Sequence, residues 1–287
     1  MPGYDSSRSR LRLADRHVRV IARLAAGETP DPALFPTLGE LQELGLVGEE
    51  GELSPLLREL VGALKTPVLN ISVEITGEAG PVHHGVLVGA ETVIAHEGWP
   101  GDEESEYIPI EPSTLVFELA RMVRLRRGGG GEEQPAARRV ESTMKALDGA
   151  FAVLAAPAGE AGDAGDAGDA GDAGEDRDTV RKAVTEAGTT GDMADALTEL
   201  VLALNSYWRV TVAWDGQHDG GHAPMFRSLA VWDCGFRGYW IREQPEEPIL
   251  HGQVTPDSPL HLVRSDAGEI WRRLTALIPE KEELGPR

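Results

Sequence analysis

Apolar residues at Leu57, Leu60, Val61 and Leu64 fall at i, i+3, i+4 and i+7, the stripe of an amphipathic helix. Ser54 and Pro55 before it supply an N-cap and a proline at the first helical position, and Pro67 ends it. The pattern then changes period. "VLNISVEI" (Val68 to Ile75) alternates and is β-branched, which predicts a strand. Further strands are predicted at His83 to Ala90, Thr92 to Glu97 and Glu106 to Glu111, and the short breaks between the first of them imply antiparallel hairpins. After Pro112 and Ser113 a helix resumes, with Leu115, Leu119, Met122 and Val123 on one face.

The same succession recurs later. "LRELVGALKT" (Leu57 to Thr66) returns as "LTELVLALNS" (Leu197 to Ser206), with Leu197, Leu200, Val201 and Leu204 as its stripe. Strands are predicted at Trp208 to Trp214, Phe226 to Asp233, Gly238 to Glu243 and Ile249 to Thr255. Pro256, Asp257 and Ser258 then read as the start of a closing helix carrying Leu260, Ile270, Trp271, Leu274 and Leu277, weakened in its middle by Gly268. Six identities between two helices rich in Leu, Ala and Glu carry little by themselves; the repeated order of elements carries more. The expectation is an α+β protein of two pseudo-repeated halves. Each half is an antiparallel sheet of about four strands flanked by helices, and a pseudo-twofold axis relates the two. The boundaries this predicts are a first half over 1–127, a connecting segment with a helix over 128–158, an acidic linker over 159–178, and a second half over 179–287.

Composition narrows the function classes. The 287 residues carry a formal charge of −21, against the basic face that binding to nucleic acid requires. Arg121, Arg124, Arg126 and Arg127 cluster at the end of a predicted helix, where cations complement the helix dipole. Part of the acidity lies in "GEAGDAGDAGDAGDAGEDRD" (Gly159 to Asp178), which has no aromatic or β-branched side chain and reads as a solvated linker. It lacks the large apolar residue that each turn of a calcium-binding β-helix needs. No apolar run is long enough to span a membrane, "MPGYDSSRSRLRLADRH" lacks the apolar core of a signal peptide, and Cys234 is the sole cysteine. These features point to the cytoplasm.

Candidate chemistry is thin. "HDGGH" (His218 to His222) has the histidine spacing of a helical metal site, but Asp-Gly-Gly is turn sequence, and a solvated hairpin loop is the better reading. Cys234 lies in a tight turn, and the acidic clusters "GDEESEY" and "REQPEEP" sit among glycines and prolines as solubilising rims. No phosphate-binding loop, nucleophile elbow or dinucleotide fingerprint is present. The sequence therefore predicts no enzymatic activity, no cofactor and no metal.

The run from Leu41 to Pro67, "LQELGLVGEEGELSPLLRELVGALKTP", is a helix ending in Gly-Leu-Val, an acidic turn and a second helix closing on proline. It resembles the EspG family, the cytosolic chaperones associated with ESX (type VII) secretion. "GVLVGAETVIAHE", "IEPSTLVFELARMV", "LAVWDCGFRGYW" and "TPDSPLHLV…WRRLTALIP" resemble the later family segments. Leu44 stands where the family commonly has Arg, and the Ala-Gly-Asp tract is not a family feature. The resemblance implies an α+β chaperone that holds soluble the tip of a helical secretion substrate, a PE/PPE- or WXG100-like protein. Such a role needs an exposed apolar patch on a charged surface. Five of the six tryptophans lie at or after Trp208, and Trp208, Phe226, Trp232 and Trp240 are the expected partner-binding anchors, with about half of the tryptophan rings expected in the core. Two other readings stand beside this one. A ligand-binding or regulatory α+β module would need a pocket. A winged-helix regulator would need a basic second helix, where only Arg58 and Lys65 occur among acids.

Overall fold

The structure, a computed structural model, describes residues 2–5, 10–126, 137–155, 172–218, 221–243 and 254–284. Strands β1 (Gly3–Asp5) and β2 (Arg10–Ala14) precede helices α1 (Asp15–Ala25), α2 (Phe35–Glu43) and α3 (Pro55–Lys65). A meander comes next: β3 (Leu69–Gly77), β4 (Gly80–Val88), β5 (Val93–Glu97) and β6 (Glu104–Ile110), and then α4 (Leu115–Met122). It is succeeded by β7 (Arg139–Thr143), α5 (Met144–Ala155), α6 (Asp172–Glu186) and α7 (Gly191–Leu202). Finally β8 (Ser206–His218), β9 (Gly221–Asp233), β10 (Tyr239–Arg242) and β11 (Pro259–Ser265) lead to α8 (Ala267–Leu277). The strands form one sheet in the order β1-β2-β6-β5-β4-β3-β8-β9-β10-β11-β7. Neighbours run antiparallel from β1 to β3 in that order, and again from β9 to β7.

Contacts divide the chain into two units. The first takes Met1–Leu125, Trp208–Leu229 and Trp271–Arg287; the second takes Arg126–Tyr207 and Ala230–Ile270. In the first unit, α1, α2 and α3 bury Val20, Ile21, Leu41, Leu57 and Leu60 against Leu11, Leu13, Ile94 and Tyr107 of the sheet. The local signals explain these helices. Ser54 Oγ accepts the Leu57 N–H at 3.4 Å, with Pro55 at the first helical position. After α2, Gly45 turns the chain at φ +66°, so that Leu46 N–H reaches the Leu41 carbonyl. His17, fully buried, accepts the Ala14 N–H on Nδ1 at 2.9 Å, so its Nε2–H donates to Glu40 at 2.8 Å. One neutral ring thereby ties the start of α1 to α2.

In the second unit, α5, α6 and α7 bury Ala146, Ala150, Val180, Val184, Leu197 and Leu200 against Val140, Trp232, Trp240, Leu260 and Leu262. Arg237 and Arg177 both reach Glu199 of α7.

Several expectations are corrected. Pro256 to Ser258 do not begin a helix; they form a turn, with Thr255 N–H bonded to Ser258 Oγ at 2.9 Å. Leu260 and Leu262 lie in β11, buried on one side and paired with Ser142 and Val140. Pairing with β7 decides the element, and α8 starts only at Ala267, where Asp266 Oδ1 caps the Glu269 N–H at 2.8 Å. Gly268 is thus in the first turn, not the middle. A strand over Ile249 to Thr255 falls largely outside the described residues, and Val254 and Thr255 are not in a strand. β1, β2 and β7, of three to five residues each, are additional strands at the two ends of the sheet order, so the expected four-strand sheets are replaced by one sheet of eleven. Within 159–178, residues 159–171 lie outside the described residues, whereas α6 begins at Asp172. β3 lies between β4 and β8, which is no place for the wing of a winged helix.

Candidate partner-binding face

Burial along β8 alternates without a break: Trp208, Val210, Val212 and Trp214 are buried, while Arg209, Ala213 and Asp215 are exposed. β3 does the same, with Leu69, Ile71 and Val73 buried and Asn70 and Ser72 exposed. Arg209 Nε donates to Glu74 at 2.9 Å, which puts the exposed positions of the two strands on one side. On β9, Arg227 stacks over the inward Trp214 ring at 5.2 Å, so its neighbour Phe226 points to that same outward side. Phe226 is 52% exposed. Register pairs Asn70 with Leu87, whose side of the sheet is covered by α3 further along; over β3, β8 and the Phe226 end of β9 the strands stay open. The first unit therefore presents a sheet face that no described helix covers, with one large aromatic ring among hydroxyl, amide and paired charged groups.

Three of the four expected anchors are core residues. Trp208 and Trp240 are at most 1% exposed and Trp232 is 3% exposed. Trp232 and Trp240 sit directly opposite each other on β9 and β10, under α7. The sequence shows which residues alternate, but not which stretch of a face a helix will cover. Trp232 and Phe226, both even-numbered positions of β9, meet opposite fates for that reason. Of the four, Phe226 alone remains available to a partner.

The remaining chemistry is quiet. Cys234 is buried, donates to the Leu200 carbonyl at 3.6 Å, and burial pushes its thiol up to about 12, far from a nucleophilic thiolate. Among the described residues no group of His, Cys, Asp and Glu is placed to hold a metal ion. The turn of "HDGGH" and most of "REQPEEP" fall outside the described residues, as does Arg127. Arg121 is held by Glu97 and Glu118. A depression of about 290 Å³ beside β1 and β2 is lined by Arg10, Arg12 and Glu106, with Arg10 and Glu106 paired at 3.1 Å and Arg12 on Asp102 at 2.7 Å. No helix of the described residues is long and apolar enough to cross a membrane.

Two histidines of the meander, His84 on β4 and His96 on β5, make stability respond to pH. His84 Nδ1 accepts the Gly98 N–H at 3.2 Å, and His96 stacks on Tyr107 at 4.9 Å. Burial holds both imidazoles below their ordinary pKa of 6.5, despite the nearby Glu97 carboxylate. The unfolded chain thus takes up protons that the folded one refuses, so stability falls as pH drops below 6.5. Glu97 adds a second loss at lower pH. Burial would raise its pKa, but the hydrogen bond and charge of Arg121 outweigh this and hold it below 4.5. The melting temperature is expected to fall steadily from pH 7.5 to 5.5, and to fall less in the double variant His84→Asn, His96→Asn. Identical slopes in the two proteins would sink this account.

Neither a family model nor a characterised protein matches this sequence. Among solved structures, the chain is similar to the type VII secretion system chaperone EspG5 of Mycobacterium tuberculosis, solved in complex with a PE25–PPE41 dimer. The TM-score is 0.57 at 10% identity, over 96% of this chain and 100% of that one. The chain has that chaperone's fold, essentially end to end.

Proposed function

We propose that this protein is a cytosolic, non-enzymatic, secretion-associated chaperone, binding a helical type VII secretion substrate of PE/PPE- or WXG100-like kind. The observation that carries this reading is the end-to-end likeness to a chaperone solved with a PE25–PPE41 dimer. The open face of β3, β8 and β9 fits the role: a partner can lay helices on it without displacing any described element, and Phe226 offers area at small entropic cost. The strong negative charge elsewhere favours solubility of the complex.

A duplicated module underlies this reading of the fold. Its support is the order of elements: β2, α1, α2, α3, β3 to β6 and α4 recur as β7, α5, α6, α7, β8 to β11 and α8. In both series the first strand pairs antiparallel with the last, β2 with β6 and β7 with β11, making five strands per copy instead of four.

Affinity capture of the tagged protein from its native lysate, with mass spectrometry of what is bound, tests the function. A small helical PE-, PPE- or WXG-like protein in stoichiometric amount is the expected result. Recovery of DNA, a metabolite or nothing would reduce the likeness to one of fold.

A further inference from the structure

The chain segment Glu280–Leu284 crosses the β8–β9 hairpin on the side opposite Phe226. Its short 3-10 turn, Lys281–Glu283, is closed by the Glu280 N–H bonding back to Glu283 Oε2 at 2.8 Å. Side chains of the hairpin hold this turn and the end of α8. Trp214 Nε1–H donates to the Glu283 carbonyl at 3.3 Å, and Arg227 pairs with the Glu283 carboxylate. Arg227 also donates to the Ala276 carbonyl at 3.3 Å while its guanidinium lies over Trp214. Gly216 forms an isolated antiparallel bridge with Leu284.

The sequence of β8 is adapted to this crossing. A β-carbon at position 216 would lie 2.5 Å from Met225 Cγ, 3.0 Å from Trp214 Nε1 and 3.2 Å from the Glu283 carbonyl oxygen, so glycine leaves room both for the hairpin's own side chains and for the crossing backbone. Glycine in a strand is otherwise a weakness, because it brings no side chain to pack and loses the most backbone freedom. Here that weakness sits where a second piece of backbone closes over it.

We propose that residues 280–284 are a strap that fixes the outer part of the β8–β9 hairpin and so holds Phe226 ready for its partner. This rests on the chaperone reading only for the identity of what binds. The hairpin alternates, so Trp214 and Arg227 face the strap while Ala213 and Phe226 face outward; ordering one side orders the other. Binding to a pre-ordered strand avoids the entropy of ordering it on contact, and loosening the strap costs affinity without altering the outward surface.

The test is amide hydrogen exchange of the full-length protein, comparing wild type with Arg227→Gln and separately with Gly216→Val. Exchange in 206–216 is expected to speed up about tenfold or more in both, with α1 to α3 unchanged. The helical protein recovered by affinity capture serves as the binding probe, and its affinity is expected to drop several-fold in both. Phe226→Asp is the contrasting control: affinity lost, exchange unchanged. Unaltered exchange in both strap variants would overturn the strap and leave the chaperone reading standing. Faster exchange with full affinity would show that hairpin order does not serve binding, which also overturns the proposal. If wild type captures no helical protein, the chaperone reading fails by itself, and the exchange result alone decides whether the strap exists.

Discussion

Phe226→Asp is expected to weaken binding of the helical partner by at least about 30-fold, while thermal unfolding stays within about 0.5 kcal/mol of wild type. The ring is the large apolar group on the open face, half exposed and free of the cover that hides its neighbours on β9. Removing an aromatic anchor at the centre of an interface costs roughly 2 kcal/mol or more, and a carboxylate in its place adds the desolvation of a charge. Phe226→Leu should retain much of the binding. Calorimetric titration with the captured partner would measure both. Equal affinity for Phe226→Asp and wild type would move the contact off this face.

The opposite result is expected at Trp240. Trp240→Ala should cost the folded state about 3–5 kcal/mol, against a total stability of roughly 5–15 kcal/mol, because the ring fills the space between β10 and α7 beside Trp232. In a protein this size that lowers the melting temperature by about 6–20 °C. Trp240→Phe should be far milder. Among the described residues the Trp240 indole Nε1–H is buried without a hydrogen-bond partner, so phenylalanine deletes an unsatisfied donor while keeping most of the ring. Chemical denaturation of both variants would check this. A Trp240→Ala protein as stable as wild type would mean the ring is not structural.

These two positions mark where the sequence is informative and where it is silent. Long, strongly periodic segments are legible: the stripe of α3, its Ser-Pro start, and the alternation of β3, β8 and β9 each predict the element that forms. Leu260 to Val263 mislead because a helix-start signal, Pro-Asp-Ser, stands directly before only four residues of alternation. Pairing with Val140 and Ser142, far earlier in the chain on β7, decides the matter. β7 itself has five residues and a single buried apolar side chain, too little pattern to stand out. The candidate site is half legible. Alternation separates the two faces of β9, yet whether a helix lies over position 226 or 232 depends on tertiary packing that no local period encodes.

The sheet order has a consequence for how the protein is made. β3 borders β8, so during synthesis one edge of the first meander waits, unpaired, until residue 206 and those after it have been translated. The first unit also needs the segment Trp271–Arg287. The N-terminal meander therefore cannot finish folding as it leaves the ribosome. Its exposed strand edge is the point at which a nascent or truncated chain would aggregate, or be met by the cell's general folding machinery.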